Sequence, residues 1–179
     1  IIAVLKTVQN QSTIERIVKD DEYSELKTAE YLYADGKKVI DKYTTSTVCL
    51  FKITNLVQIN ETVSRKTGDR VINTVCNTIK QDLSPEYLFV RYMGPKFAIV
   101  FSGVDAQAVE EFMKTVKEKT EAIKIQPAED YKGEDVEVSP KINIAIAKYY
   151  KGTALVGVTK KLEEYLDLAD STESNINYL

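Results

Sequence analysis

Residues 87–101 read YLFVRYMGPKFAIVF. Two runs rich in β-branched and aromatic side chains, Tyr87 to Tyr92 and Phe97 to Phe101, flank Met93-Gly94-Pro95-Lys96, a length and composition suited to a β-hairpin turn. On the N-terminal side, Val71, Ile72, Val75, Cys76, Ile79 and Leu83 recur at helical spacing with Pro85 just beyond, so a long helix leads into the hairpin. Before that helix, residues 47–53 (TVCLFKI) form a buried strand, followed by a helical stretch interrupted around Thr67 and Gly68. Residues 1 to about 43 read as helical, an entry helix with Ile14, Ile17 and Val18 on one side and a first domain helix with Tyr31, Leu32, Val39 and Ile40.

After the hairpin, Asp105 is placed to cap a helix carrying Val109, Phe112, Met113 and Val116, and residues 126–134 are polar and loop-like, as an insertion would be. Residues 141–147 (KINIAIA) alternate through Ile142, Ile144 and Ile146 like a strand with one buried face, and Leu155, Val158, Leu162, Leu166 and Ala169 mark a last helix. The order strand, helices, strand, strand, helix, strand, helix implies an α/β (α+β) domain. Its mostly antiparallel central sheet is of ferredoxin-like or palm type, with helices covering one face.

A chain of 179 residues with 44% hydrophobic and 28% charged side chains can bury one sizeable core. Its formal charge of −3 is spread along the sequence without a basic stripe, so nucleic acid is not expected as a partner. No window has the roughly 18 apolar residues of a membrane span, and the first residues given lack the basic-then-apolar layout of a signal peptide. The domain is expected to be cytoplasmic, without direct membrane contact, and to be part of a longer protein that could itself be membrane-anchored. Cys49 and Cys76 lie in apolar runs, consistent with reduced thiols. With no histidine, chemistry would rest on carboxylates, lysines or hydroxyls.

Ordered landmarks carry a resemblance. Asp21-Glu22-Tyr23-Ser24-Glu25-Leu26 is similar to D-x-L-T-G-L, Asn60-Glu61 followed by Gly68-Asp69 is similar to N-D-x-x-G-H-x-x-G-D, and RYMGPKF is similar to R-Y-G-G-D-E-F. KINIAIA stands where V-S-I-G-V-A would be. In this order and spacing the sequence resembles the GGDEF domains, which act as diguanylate cyclases and join two GTP molecules into cyclic di-GMP. The resemblance runs from about Asp21 to the C-terminus, leaving residues 1–20 as an N-terminal linker or signalling helix.

The resemblance also marks losses. The family holds two divalent ions on carboxylates to neutralise the triphosphate and activate the attacking hydroxyl. Alignment on Asn60 puts Lys52 and Thr54 at the acidic positions of the first segment, and the degenerate motif Met93, Gly94, Pro95, Lys96 and Phe97 places Pro95 and Lys96 at the acidic pair of the turn. A protonated lysine cannot ligate a cation. Asp170 and Ser174 align with the family's distal phosphate-binding Lys and Arg, and Ser84-Pro85-Glu86-Tyr87 with its product-inhibition R-x-x-D. The expectation is a domain that is not an enzyme, holds no metal, and binds no cyclic di-GMP at the feedback position.

Asn60 and Asp69 survive at the positions that, by resemblance, read the guanine base; their bland alternatives are a turn-holding amide and a helix N-cap. Lys52 and Lys96 are either solvated surface lysines or a cationic pair that holds a nucleotide's phosphates directly, with backbone N–H groups of Asn55 and Leu56 beside them. Tyr149 and Tyr150 form either a contact surface or the edge of a sheet. Three functions follow. The first is an inactive regulatory domain in bacterial cyclic di-GMP signalling, acting through dimerisation or a neighbouring domain. The second is a metal-independent sensor of GTP or another guanine nucleotide. The third, remote, is a cyclase with rearranged ligands.

Overall fold

The computed structural model describes residues 26–92, 94–169 and 174–179. The expected entry helix, and all of the 21–26 motif except Leu26, lie outside the described residues. The chain continues with β1 (Lys27–Thr28) and a helical run, α1, built from an α segment Ala29–Tyr31, a π segment Leu32–Gly36 and an α segment Lys37–Ile40. Then follow β2 (Thr45–Ile53), α2 (Leu56–Thr62), α3 (Arg65–Asp82), β3 (Leu88–Arg91), β4 (Lys96–Ser102), α4 (Ala106–Glu121), β5 (Ile142–Tyr150), α5 (Leu155–Leu168) and β6 (Ile176–Tyr178).

The strands form one sheet in the order β1-β3-β4-β2-β5-β6. β4 pairs antiparallel with β3 and β2, and β2 antiparallel with β5, which gives the β-α-β-β-α-β core of a ferredoxin-like domain. The edge pairs β1–β3 and β5–β6 are parallel. The hairpin closes through Tyr92 N–H donating to the Lys96 carbonyl (2.9 Å), and Gly94 takes φ +58°, a left-handed conformation that glycine adopts without Cβ strain.

The sheet is covered on both faces, not on one as the sequence pattern implied. Cys49, Phe51, Ile53, Phe97, Ile99, Phe101, Ile142, Ile144 and Ile146 meet α2, α3 and α4 on one side. On the other, Val48, Leu50, Ala98, Val100, Ala145, Ala147 and Tyr149 meet α1 and α5. Each strand therefore splits its residues between two cores, and Ile142 to Ala147 are all buried because the small residues among them fit beneath α5. Phe97 stacks on Phe51 with centroids 5.1 Å apart, and Phe101 meets Phe112 edge-on.

Helix starts follow local chemistry. Asp105 caps α4 by accepting from Ala108 N–H (2.9 Å), as the sequence implied. α3 is capped by Ser64, whose Oγ accepts from Thr67 N–H (3.1 Å), so Asp69 is not an N-cap and lies inside the helix. The helical break falls at Val63 and Ser64, ahead of Thr67 and Gly68, which are helical. The 126–134 segment is irregular, tied by an Ile125–Val138 bridge and by Arg70, whose guanidinium donates to the Gln126 carbonyl at 3.0 Å. Of the two tyrosines, Tyr149 is buried with its hydroxyl between Lys37 and Asp41, whereas Tyr150 ends β5 exposed.

Candidate functional site

The candidate residues gather at one end of the sheet. β2 delivers Lys52, and its register sets Lys52 opposite Lys96 on β4 and opposite Asn143 on β5. Ile53 N–H donates to the Pro95 carbonyl (2.9 Å), so Lys52 and Lys96 form the closely spaced type of antiparallel pair, with Cα atoms about 4.5 Å apart. Both lie on the α5 face, because they continue the alternation of Val48, Leu50, Ala98 and Val100. Like charges so placed repel.

That repulsion is relieved from within the chain. Lys96 Nζ donates to Glu163 Oε2 at 2.7 Å and to Asp167 Oδ1 and Oδ2 at 3.0 and 3.3 Å, two carboxylates one turn apart on α5. Lys96 is only 9% exposed, so it is not a solvated surface lysine. Burial opposes its charge, but the hydrogen bonds it donates to Glu163 and Asp167 outweigh burial and raise its pKa above the ordinary lysine value. Lys52 is half-buried and has no hydrogen-bond or ion-pair partner among the described residues.

The α5 row extends to Thr159, whose hydroxyl meets that of Tyr33 at 2.5 Å, while Tyr33 also hydrogen-bonds Tyr92 at the base of the hairpin. Burial above all raises the Tyr33 phenol pKa, with Glu163 adding to the effect. Thr159, Glu163 and Asp167 thus form one stripe, at i, i+4 and i+8, that fastens α5 to the hairpin and to α1. Sequence reasoning missed these partners. The signal available was an acidic and hydroxyl stripe bordering the apolar Leu155, Leu162 and Leu166 face.

Asn143 is fully buried; its Oδ1 accepts from Asn175 N–H (3.2 Å), and its Nδ2 has no partner among the described residues. Asn55 is committed elsewhere, donating to the Ser139 carbonyl (2.9 Å) and accepting from Lys141 N–H (3.0 Å), and Leu56 starts the short α2 as a core residue. Asn60 is on α2, not in a turn, and its amide lies directly over Gly68 of α3. A Cβ at Gly68 would fall 1.7 Å from Asn60 Oδ1, so glycine is what lets the two helices cross there. Asp69 follows on α3, half-buried.

In the degenerate motif, Gly94 and Pro95 form the turn, Lys96 opens β4, Phe97 is core and Met93 lies outside the described residues. Asp170 is outside them as well. Ser174 hydrogen-bonds Glu121 Oε2 at the end of α4. Ser84 and Tyr87 border an apolar cavity of about 230 Å³ lined also by Leu83, Phe101, Val104 and Phe112.

The strands bring two ammonium groups and an amide to the sheet end, α5 adds the Glu163 and Asp167 carboxylates that Lys96 engages, and a protonated amine has no lone pair for a metal. Among the described residues no three His, Cys, Asp or Glu side chains gather as a metal site would require. Lys52 and Lys96 themselves are therefore not ligands for a divalent ion.

Comparisons with known proteins agree on the family. The family model described as "Diguanylate cyclase, GGDEF domain" matches residues 23–175. The probable diguanylate cyclase DgcT of Escherichia coli (strain K12) is 26% identical over 76 residues, which are 42% of this chain and 17% of that protein, so the chain spans a minor part of this curated relative. Among solved structures, the GGDEF domain of DgcB from Caulobacter crescentus in complex with c-di-GMP superposes with a TM-score of 0.75 at 17% identity, covering 87% of this chain and 90% of that one. The diguanylate cyclase SiaD of Pseudomonas aeruginosa, solved with its activator SiaC, gives 0.76 at 12% identity, covering 94% and 69%. Among the described residues no helix is long and apolar enough to cross a membrane. With its family model matched over most of the sequence and its sheet, hairpin and helices in the family's arrangement, this chain belongs to the GGDEF domain family, relatives of the diguanylate cyclases of c-di-GMP signalling.

Proposed function

We propose that this GGDEF domain does not join GTP molecules and instead serves as a regulatory domain of a larger signalling protein, through a dimer or through contact with a neighbouring domain. The observation that supports this reading is the Lys52–Lys96 pair, two ammonium groups side by side at positions that the sequence resemblance aligns with the family's metal-binding carboxylates. One of them is already neutralised by α5, so the cleft is occupied by the chain's own ion pairs. The SiaD structure with its activator is an instance, in that protein, of regulation through a protein partner. The test has two arms: purified protein with GTP and magnesium or manganese should yield no cyclic di-GMP, and light scattering of the chain with its neighbouring segments should give a defined dimer or complex. Cyclic di-GMP formation, or a strict monomer indifferent to its neighbours, would count against it.

A second reading, a metal-independent guanine-nucleotide sensor, is favoured by one observation: Lys52 has no partner among the described residues, while Asn60 and Asp69 remain on adjoining helices. Calorimetry with GTP in EDTA tests it, and a flat titration would refute it.

A further inference from the structure

We propose that Lys52, Lys96 and Asn143 form a latent oxyanion site in which the Glu163 and Asp167 carboxylates occupy the place of the ligand. Three neighbouring strands contribute one residue each to the same sheet face, and their registers align them side by side. All three present donors: two ammonium groups and the Asn143 amide, whose oxygen is already used by Asn175 N–H. The Asn143 Nδ2 is buried without a partner among the described residues, an arrangement that is unfavourable unless an acceptor is supplied. A row of donors with one unmet amide and one unpartnered lysine matches a compact acceptor with delocalised negative charge, the chemistry of a phosphate group.

The chain supplies a partial substitute. Glu163 and Asp167 reach Lys96 but leave Lys52 unpartnered. Their side chains are 25% and 52% exposed, so water competes for them and an incoming anion can displace them. Removing their charge should therefore strengthen binding, the opposite of what loss of an ordinary binding residue does. The site rests on the lysines and the amide alone and is independent of whether Asn60 and Asp69 read a guanine base.

The experiment is calorimetric titration of the full chain in EDTA with inorganic pyrophosphate and, separately, with GTP. The Glu163→Gln/Asp167→Asn variant should bind pyrophosphate about tenfold more tightly than the parent, and Lys52→Met about tenfold more weakly, the loss of one charge-assisted hydrogen bond. Lys148→Met, on the opposite face of β5, is the control and should match the parent. Circular dichroism checks folding, and should the double variant fail it, Asp167→Asn at the more exposed position reads the same direction. A double variant that binds no tighter, or Lys52→Met that binds as well as the parent, overturns the site. Pyrophosphate and GTP bound equally would uphold the oxyanion site while refuting the guanine sensor; GTP bound more tightly would uphold both.

Discussion

Replacing Lys96 with methionine keeps most of the apolar stem beneath α5 and removes the ammonium. Three contacts vanish, at 2.7, 3.0 and 3.3 Å, and the Glu163 and Asp167 carboxylates are left facing each other across one helical turn. A hydrogen bond to a charged group contributes about 1.5–3 kcal/mol. The Glu163 bond should keep much of that, since the Lys96 and Glu163 side chains are 11% and 25% exposed, whereas Asp167 at 52% should add only a few tenths. Relief of the Lys52–Lys96 repulsion returns about as much. The net expectation is a loss of about 1.5–2.5 kcal/mol, or roughly 4–8 °C in Tm for a domain of this size. Urea unfolding followed by circular dichroism reads it, with the m-value unchanged.

The same variant predicts a pH signature. The folded-state pKa of Lys96 is raised above its unfolded value, so its contribution is fully present below the ordinary lysine pKa of about 10.4 and is lost as pH rises through the higher folded value. The stability gap between parent and Lys96→Met should therefore be flat from neutral pH to about 10 and shrink above it. A double-mutant cycle with Glu163→Gln should return a coupling of about 1–2 kcal/mol. A Lys96→Met protein within about 0.5 kcal/mol of the parent would refute the claim that this ion pair fastens α5 to the hairpin.

Gly68→Ala must push Asn60 aside, and because that amide is the end of a flexible side chain the expected loss is about 1 kcal/mol, largely recovered in the Asn60→Ala background; equal losses in both backgrounds would contradict the close crossing of α2 and α3. Ser64→Ala should cost about 1 kcal/mol in urea unfolding through loss of the α3 cap, while Asp69→Ala should leave the helix start unaffected. Cys49 and Cys76 are both fully buried, and burial raises the Cys49 thiol pKa. A thiol reagent should titrate neither in the native protein and both in denaturant.

The elements read from the sequence are those whose signal is local. The 87–101 hairpin, the periodic face of α3 and the Asp105 cap each depend on residues close along the chain. β1 and β6, two and three residues long, carry no such signal, because each exists by pairing with a strand already in the sheet. The second covered face was hidden for a related reason: Ala145 and Ala147 look neutral in an alternating strand until α5 is packed on them. At the site, the strand register sets Lys52 opposite Lys96. The carboxylates that answer Lys96 lie 67 and 71 positions further on and are chosen by tertiary packing, which no local pattern encodes. Ser64 was overlooked as the α3 cap in favour of Asp69, although Ser64 precedes the first helical residue.

The reversed charge at the sheet end is the centre of the account, and product formation tests it most directly. The purified chain is incubated with GTP and excess magnesium, then manganese, and cyclic di-GMP is quantified by chromatography and mass spectrometry beside an active diguanylate cyclase. The account predicts no product above a no-protein blank with either metal, on the proposal that Lys52 and Lys96 stand at the family's metal-ligand positions. Metal-dependent accumulation of cyclic di-GMP that disappears in EDTA would contradict it.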